Sequence, residues 1–351
     1  MALRDKDSAT SGKAEAAENA VARIAAFAQT HRVILRGVGV AASVAIIGVS
    51  LFIFGRTLVK IDFAQFESAF RATGFDQIFL AIGLTCTSYL ALTGYDALAL
   101  RHLGARVPYP LTALASFTSY AISFTLGFPL VTGGAVRFWV YGPAGLSAGR
   151  IASLTVVAGI TFWLGMGLVL ATGFLFDSSA IAEINQFPPI VNQAIGVALI
   201  GVLVAYLAWV TRLRAQGRGV LLHFRLPGPL LTLGQTALGV IDVCAAAGAL
   251  YALLPRGQSI GFLAFSSLYS FAAMLGIASH SPGGLGVFEA TMIDGVGGSS
   301  EPLLASLLLF RAIYYLAPFI LAMALLGAYE AGRRWRSLRE ALAASSLDEE
   351  V

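Results

Sequence analysis

The sequence predicts an all-α polytopic membrane protein: about six full spans plus two oppositely oriented re-entrant hairpins, arranged as an inverted repeat. Three observations predict it. Hydrophobic residues make up 57% of the chain and charged residues 12%, against about 25% charged in soluble domains, and the mean hydropathy is +0.79. Several apolar runs reach about 20 residues, the length of a membrane-spanning helix. The Lys and Arg residues gather in a few loops, and such loops stay on the cytoplasmic side. The formal charge of +4 is small and gives no reason to expect nucleic acid. Glycine, 38 of 351 residues, exceeds its usual share of about 7%, which suits close helix packing. Cys86 and Cys244 lie in apolar spans and read as small buried residues.

Residues 1–32 are polar and mixed in charge, too long and too acidic to be the leading part of a signal peptide. Arg23, Arg32 and Arg36 place this segment in the cytoplasm. The first expected span is Gly37–Phe54. An amphipathic segment follows, Arg56 to Asp76, with Ile61, Phe63, Phe66 and Phe70 near helical spacing, suited to the outer interface. The second span, Gln77–Leu100, ends at Arg101, His102 and Arg106. Further spans are expected at Ile151–Phe176, Pro189–Val210, Leu230–Leu254 and Pro302–Tyr329. Arg212, Arg214, Arg218 and Arg225 mark one cytoplasmic loop. Arg333, Arg334, Arg336 and Arg339 mark a cytoplasmic tail, 331–351, after a membrane domain at 33–330. The acidic loop at Asp177–Glu183 belongs outside.

These sides leave two apolar regions that must return to the face they entered. Residues 111–148 enter from the cytoplasm, with a tip near Pro129–Gly134. Residues 259–299 enter from outside, with a tip at Ser281–Gly286. Each hairpin has a Pro and a Gly-Gly pair, Pro129 with Gly133 and Gly134, and Pro282 with Gly283 and Gly284. Gly286 adds a further flexible position, and glycine tolerates backbone angles that other residues avoid. Within lipid, broken backbone is tolerated only where protein buries it or a cavity solvates it. Inverted repeats with broken helices are a recurrent transporter plan. The competing readings are a plain surface turn at Pro282–Gly286 and one misassigned crossing in each half.

Five charges fall inside apolar segments: Asp96, Arg137, Asp242, Glu289 and Arg311. A charge at the bilayer centre costs about 2.5–3.5 kcal/mol on insertion scales, so such residues pair or line a pathway. They are the candidate substrate-binding residues. The competing reading is internal pairing, Arg311 with Glu289 or Arg137 with Asp96, that only locks a hairpin. His280 and Asp294 suit the hairpin mouth. Helix N-termini after Gly134 and Gly286 would suit a phosphate, arginines add bidentate contacts, and carboxylates would suit a cationic group. A charged phospholipid headgroup carries both signs. No nucleotide loop, metal-ligand spacing or serine nucleophile motif is present, and no cofactor is expected.

The stretches Tyr95-Asp96 to Arg101, Ser119-Tyr120 through Gly133-Gly134-Ala135-Val136-Arg137 to Ser147, Thr161–Gly165, Pro282–Glu289 and Phe310–Tyr315 resemble the lysylphosphatidylglycerol synthetase/flippase family, also called multiple peptide resistance factor. The likeness runs in order over residues 35–330, and Pro-Gly-Gly-Leu-Gly-Val-Phe-Glu is its most specific piece. It implies a bacterial inner-membrane domain with both termini cytoplasmic. Such a domain moves aminoacylated phosphatidylglycerol outward, lowers negative surface charge and gives resistance to cationic antimicrobial peptides. In bifunctional members a separate soluble domain transfers the amino acid from tRNA. Only a short basic tail follows Tyr329. The expectation is therefore no transferase chemistry here, in a stand-alone flippase-type subunit or a truncated form. A separate aminoacyl-transferase subunit and a second copy of the chain are candidate partners. The alternatives are the membrane part of a phosphatidylglycerol lysyltransferase and a carrier for an unrelated small solute.

Overall fold

A computed structural model describes residues 73–348 and Phe70, apart from 128, 217–219, 222–223, 226–227, 258, 280 and 298–299. The expected span 37–54 and nearly all of the amphipathic segment 56–76 lie outside these residues. The described chain falls within one compact unit, Ser50–Val351.

The helices, in order, are α1 (Phe75–His102), α2 (Tyr109–Leu126), α3 (Pro129–Tyr141), α4 (Ala148–Phe176), α5 (Ser178–Asn185) and α6 (Pro189–Ala215). A two-residue antiparallel pair, Val220–Leu221 with Phe224–Arg225, precedes α7 (Pro229–Ala252). Next come α8 (Phe262–Ala278), a 3-10 turn at Pro282–Gly284, α9 (Val287–Val296) and α10 (Ser300–Phe310). A π-helical segment, Arg311–Leu316, leads into α11 (Ala317–Asp348). Five stretches among the described residues are long and apolar enough to cross a membrane: α1, α4, α6, α7 and Glu301–Trp335. The chain is thus a helical, multi-pass membrane protein. The last helix continues past position 330 to Asp348 without a break.

Local chemistry explains where the helices start and how they carry polar residues. Proline opens α6 and α7, where its missing amide hydrogen costs nothing and its fixed φ is already helical. Ser147 caps α4 by accepting from the Arg150 amide. The hydroxyls of Thr85, Ser123, Thr155, Thr161 and Thr236 each donate to the carbonyl four residues earlier. In apolar surroundings this back-bonding satisfies a donor that has no water to meet.

α7 packs along α1 on one side and α4 on another. The α4–α7 crossing is a backbone contact. A Cβ on Gly165 would lie 2.4 Å from the Gly239 Cα, and one on Gly239 would lie 2.7 Å from the Thr161 carbonyl oxygen. Lipid gives helices little hydrophobic reason to associate, so such close approach of small residues supplies the attraction. α6 is peripheral: only Asn192, Gly196 and Val210 of its residues are buried. Cys86, expected to be buried, is exposed. It sits with Phe79, Ile82, Gly83 and Leu90 on the outward stripe of α1, spaced three to four residues apart as one helix face requires.

Replacing Gly239 by Leu should force α4 and α7 apart. Overpacking a tight interior costs about 1–3 kcal/mol or more, so a clear drop in the unfolding temperature of the detergent-solubilised protein is expected. Gly83→Ala, where an added Cβ meets nothing within 4 Å, should leave it unchanged.

Candidate functional site

The α2–α3 connection is a helical hairpin whose break lies at Gly127. That residue has φ of 80°, a value natural to glycine, and Pro129 opens α3. The expected break at Gly133 and Gly134 is corrected: both lie inside α3. A proline at the first turn already restarts the helix, so the glycines are released for packing. A Cβ on Gly133 would meet the Ser123 and Ser119 hydroxyls at 2.9 and 3.0 Å, and Ser119 donates to the Gly133 carbonyl at 2.8 Å. No helix therefore begins after Gly134, as the phosphate argument for that position required.

One turn further, Arg137 projects from α3 to Asp96 on α1. Its Nε lies 2.9 Å from Oδ2 and its Nη2 lies 2.7 Å from Oδ1, a fork-to-fork pair. The two residues are 2% and 0% exposed. Tyr141 donates to Asp96 Oδ2 at 3.0 Å, and the guanidinium lies 4.8 Å from the ring centre of Tyr120. A planar guanidinium with two parallel bonds fits a carboxylate far better than an ammonium would.

In the other half, the chain turns with positive φ at Gly283 (60°), Gly284 (66°) and Gly286 (86°). Glu289 serves two groups here. It accepts from the Gly286 amide at 2.8 Å, which caps α9, and it pairs with Arg311 Nε. Arg311 Nη1 donates to the Gly283 carbonyl at 3.2 Å, so the arginine clamps the turn from both ends. Its guanidinium lies 5.3 Å from the Tyr315 ring centre. Arg311 Nη2 is buried without a hydrogen-bond partner among the described residues.

The two breaks meet. A Cβ on Gly283 would lie 3.3 and 3.4 Å from the carbonyl oxygens of Phe124 and Thr125, in the last turn of α2. Aromatic rings continue the junction, with Phe124 stacked on Tyr314 at 6.2 Å and Phe310 on Tyr314 at 5.1 Å.

Asp242 stands apart from both ion pairs. It is 2% exposed and accepts from Ser88 at 2.5 Å and from Tyr95 at 2.8 Å. The Ser88 hydroxyl is also 2.8 Å from the Tyr314 hydroxyl. Seven residues earlier on the same face of α7, Gln235 is wholly buried, and neither amide atom has a partner among the described residues.

The five charges thus form three groups, Asp96 with Arg137, Glu289 with Arg311, and Asp242 among hydroxyls. Of the other four charges, Arg311 is the one that pairs with Glu289 among the described residues. Ser88 is the residue that sequence reading missed. Its signal was present: Ser88 and Tyr95 are seven residues apart, two turns along one helix face, within an otherwise apolar span. Asp96→Leu alone would strand a buried guanidinium, which costs about 3–5 kcal/mol. A thermal melt should show that loss, and Asp96→Leu combined with Arg137→Met should recover most of it.

Comparison with known proteins adds the family. Residues 39–322 match the model for the lysylphosphatidylglycerol synthase TM region. An uncharacterized protein of Synechocystis sp. is 33% identical over 263 residues, 74% of this chain and 81% of the relative. Inner membrane protein YbhN of Escherichia coli is 27% identical over 274 residues, 75% of this chain and 83% of the relative. A phosphatidylglycerol lysyltransferase of Staphylococcus haemolyticus is 24% identical over 266 residues, which span 72% of this chain but 29% of that enzyme. With most of its length matched in this way, the chain belongs to the lysylphosphatidylglycerol synthase transmembrane-region family.

Proposed function

We propose that this chain moves a charged phospholipid of the aminoacylated phosphatidylglycerol class from one leaflet of the bacterial inner membrane to the other. The observation that carries this reading is Arg311. It lies where two helix breaks meet, tied to Glu289, with one buried guanidinium nitrogen unpaired among the described residues. A phosphate oxygen is the natural partner for that nitrogen, and Glu289 offers a carboxylate to an amino group on the same headgroup. The staphylococcal relatives are named for transfer of lysine to phosphatidylglycerol, so lysylphosphatidylglycerol is the lipid to try first.

In this reading α2–α3 and α8–α9 are re-entrant hairpins entering from opposite faces. α3 and α9, with 13 and 10 residues, are too short to cross a bilayer, and α2 and α8, with 18 and 17, lie at the short end of the spanning range. The basic last turns of α1 and α6 and the arginines at 333, 334, 336 and 339 of α11 support a reading with both termini on the cytoplasmic side, the side that basic segments favour. Asp96 and Arg137 then hold the inner hairpin, and Arg311 and Glu289 hold the outer one at the site. Outward movement of a cationic lipid would lower negative surface charge and weaken the hold of cationic peptides. A separate aminoacyl-transferase subunit is a fitting partner, and no chemistry of transfer is assigned to the membrane helices themselves.

The test is reconstitution into phosphatidylglycerol vesicles loaded with lysylphosphatidylglycerol, with outer-leaflet amines scored by a membrane-impermeant amine reagent. The full chain should speed the appearance of labelled lipid. A hydrogen bond to a charged group is worth about 1.5–3 kcal/mol, or about 10–150-fold at about 1.4 kcal/mol per factor of ten. Arg311→Gln paired with Glu289→Gln, which leaves no stranded charge, should slow transport by that factor while the protein melts normally. Unchanged transport in the paired variant contradicts the assignment.

A further inference from the structure

Asp242 is the buried charge that neither ion pair absorbs. Among the described residues no cation pairs with it. Both of its oxygens accept from hydroxyls, Ser88 on Oδ1 and Tyr95 on Oδ2. The ionisable groups around it are phenols and a thiol. They are Tyr89 and Tyr95 on α1, Tyr120 on α2, Tyr269 on α8, Tyr314 on the π segment, and Cys244 on its own helix. α4 faces this part of α7 with Phe162, Met166 and Val169. A carboxylate in such a place loses its hydration and gains no countercharge, so the neutral acid competes with the ionised form. Asp96, unlike Asp242, has a cationic partner in Arg137.

The hydrogen-bond chain reports which form is present. When Asp242 is ionised, Tyr314 donates to Ser88 and Ser88 donates to Oδ1. When a proton binds Oδ1, that O–H donates to Ser88, and Ser88 turns its own hydrogen to the Tyr314 oxygen. The chain reverses direction, and Tyr314 must place its hydrogen elsewhere. Tyr314 lies three residues after Arg311 in the same π-helical segment, and Tyr89 holds its carbonyl at 3.2 Å. π segments inside α-helices recur at functional sites. Gln235, two turns along α7 with both amide atoms unpaired among the described residues, is a further polar group on that face.

We infer that Asp242 is a proton-binding site, and that its proton is coupled through Ser88 and Tyr314 to the Arg311 site, so that lipid movement runs with a proton gradient. The coupling rests on the transport reading above; the proton site does not. No bond other than O–H forms or breaks: the carboxylate takes a proton from one side and releases it to the other.

The experiment uses the full chain in vesicles of phosphatidylethanolamine, phosphatidylglycerol and lysylphosphatidylglycerol, with two readouts. Infrared difference spectra on acidification should show a protonated-carboxyl C=O band that is absent in Asp242→Asn, retained in Asp242→Glu and shifted in Ser88→Ala. Leaflet-resolved lipid transport should respond to an imposed difference of about one pH unit by up to about tenfold, and Asp242→Asn should lose that response. No Asp242-dependent band overturns the proton site. Transport that follows a sodium gradient instead, or that keeps its pH response in Asp242→Asn, overturns the coupling. A titrating Asp242 in vesicles where no lipid moves at any pH removes the transport reading and leaves the proton site standing.

Discussion

A polar group inside an apolar helix bundle must find its partner within the protein, because lipid offers none. That constraint orders the structure. Asp96 and Arg137 are almost completely buried and answer each other with two parallel bonds, so α3 is fixed against α1. The pair is no proof of extra stability, since desolvating two charges offsets much of their attraction. What it supplies is position: losing either partner leaves a charge that nothing else nearby can compensate.

The second ion pair is less closed than the first. Glu289 divides its oxygens between a helix cap and Arg311, and Arg311 divides its nitrogens between Glu289 and a turn carbonyl, with Nη2 unpartnered among the described residues. A buried guanidinium nitrogen without a partner among the described residues carries a desolvation cost. The turn it clamps has three glycines at positive φ, so the chain there cannot continue as helix. The same turn abuts the end of α2, where the other hairpin breaks. Elsewhere the helices pack closely, as at the Gly165–Gly239 crossing of α4 and α7.

Much of this was legible in sequence. Long apolar runs bounded by basic loops located five spans to within a few residues at most ends, because length and hydropathy are direct demands of the bilayer. The ion pairs were visible as charges that could not stand alone. The break near Gly133 was misplaced because a Gly-Gly pair looks the same whether it bends the chain or admits a neighbouring helix. Only the fold shows Ser119 and Ser123 packed on Gly133. Ser88 escaped because a serine in an apolar helix usually bonds its own backbone. Its role depends on Asp242, 154 residues away in the chain.

In the proposed reading lipid passes where the two helix breaks meet, so joining the breaks should halt transport. With Cys86 and Cys244 replaced by Ser, cysteines placed at Thr125 and Ser281 test it directly in reconstituted vesicles. The account predicts that a short thiol crosslinker joins the two tips and halts lipid movement, and that reductive release of a cleavable linker restores it. Failure to crosslink while both cysteines react with a monofunctional thiol reagent, or undiminished transport in the linked protein, would contradict it.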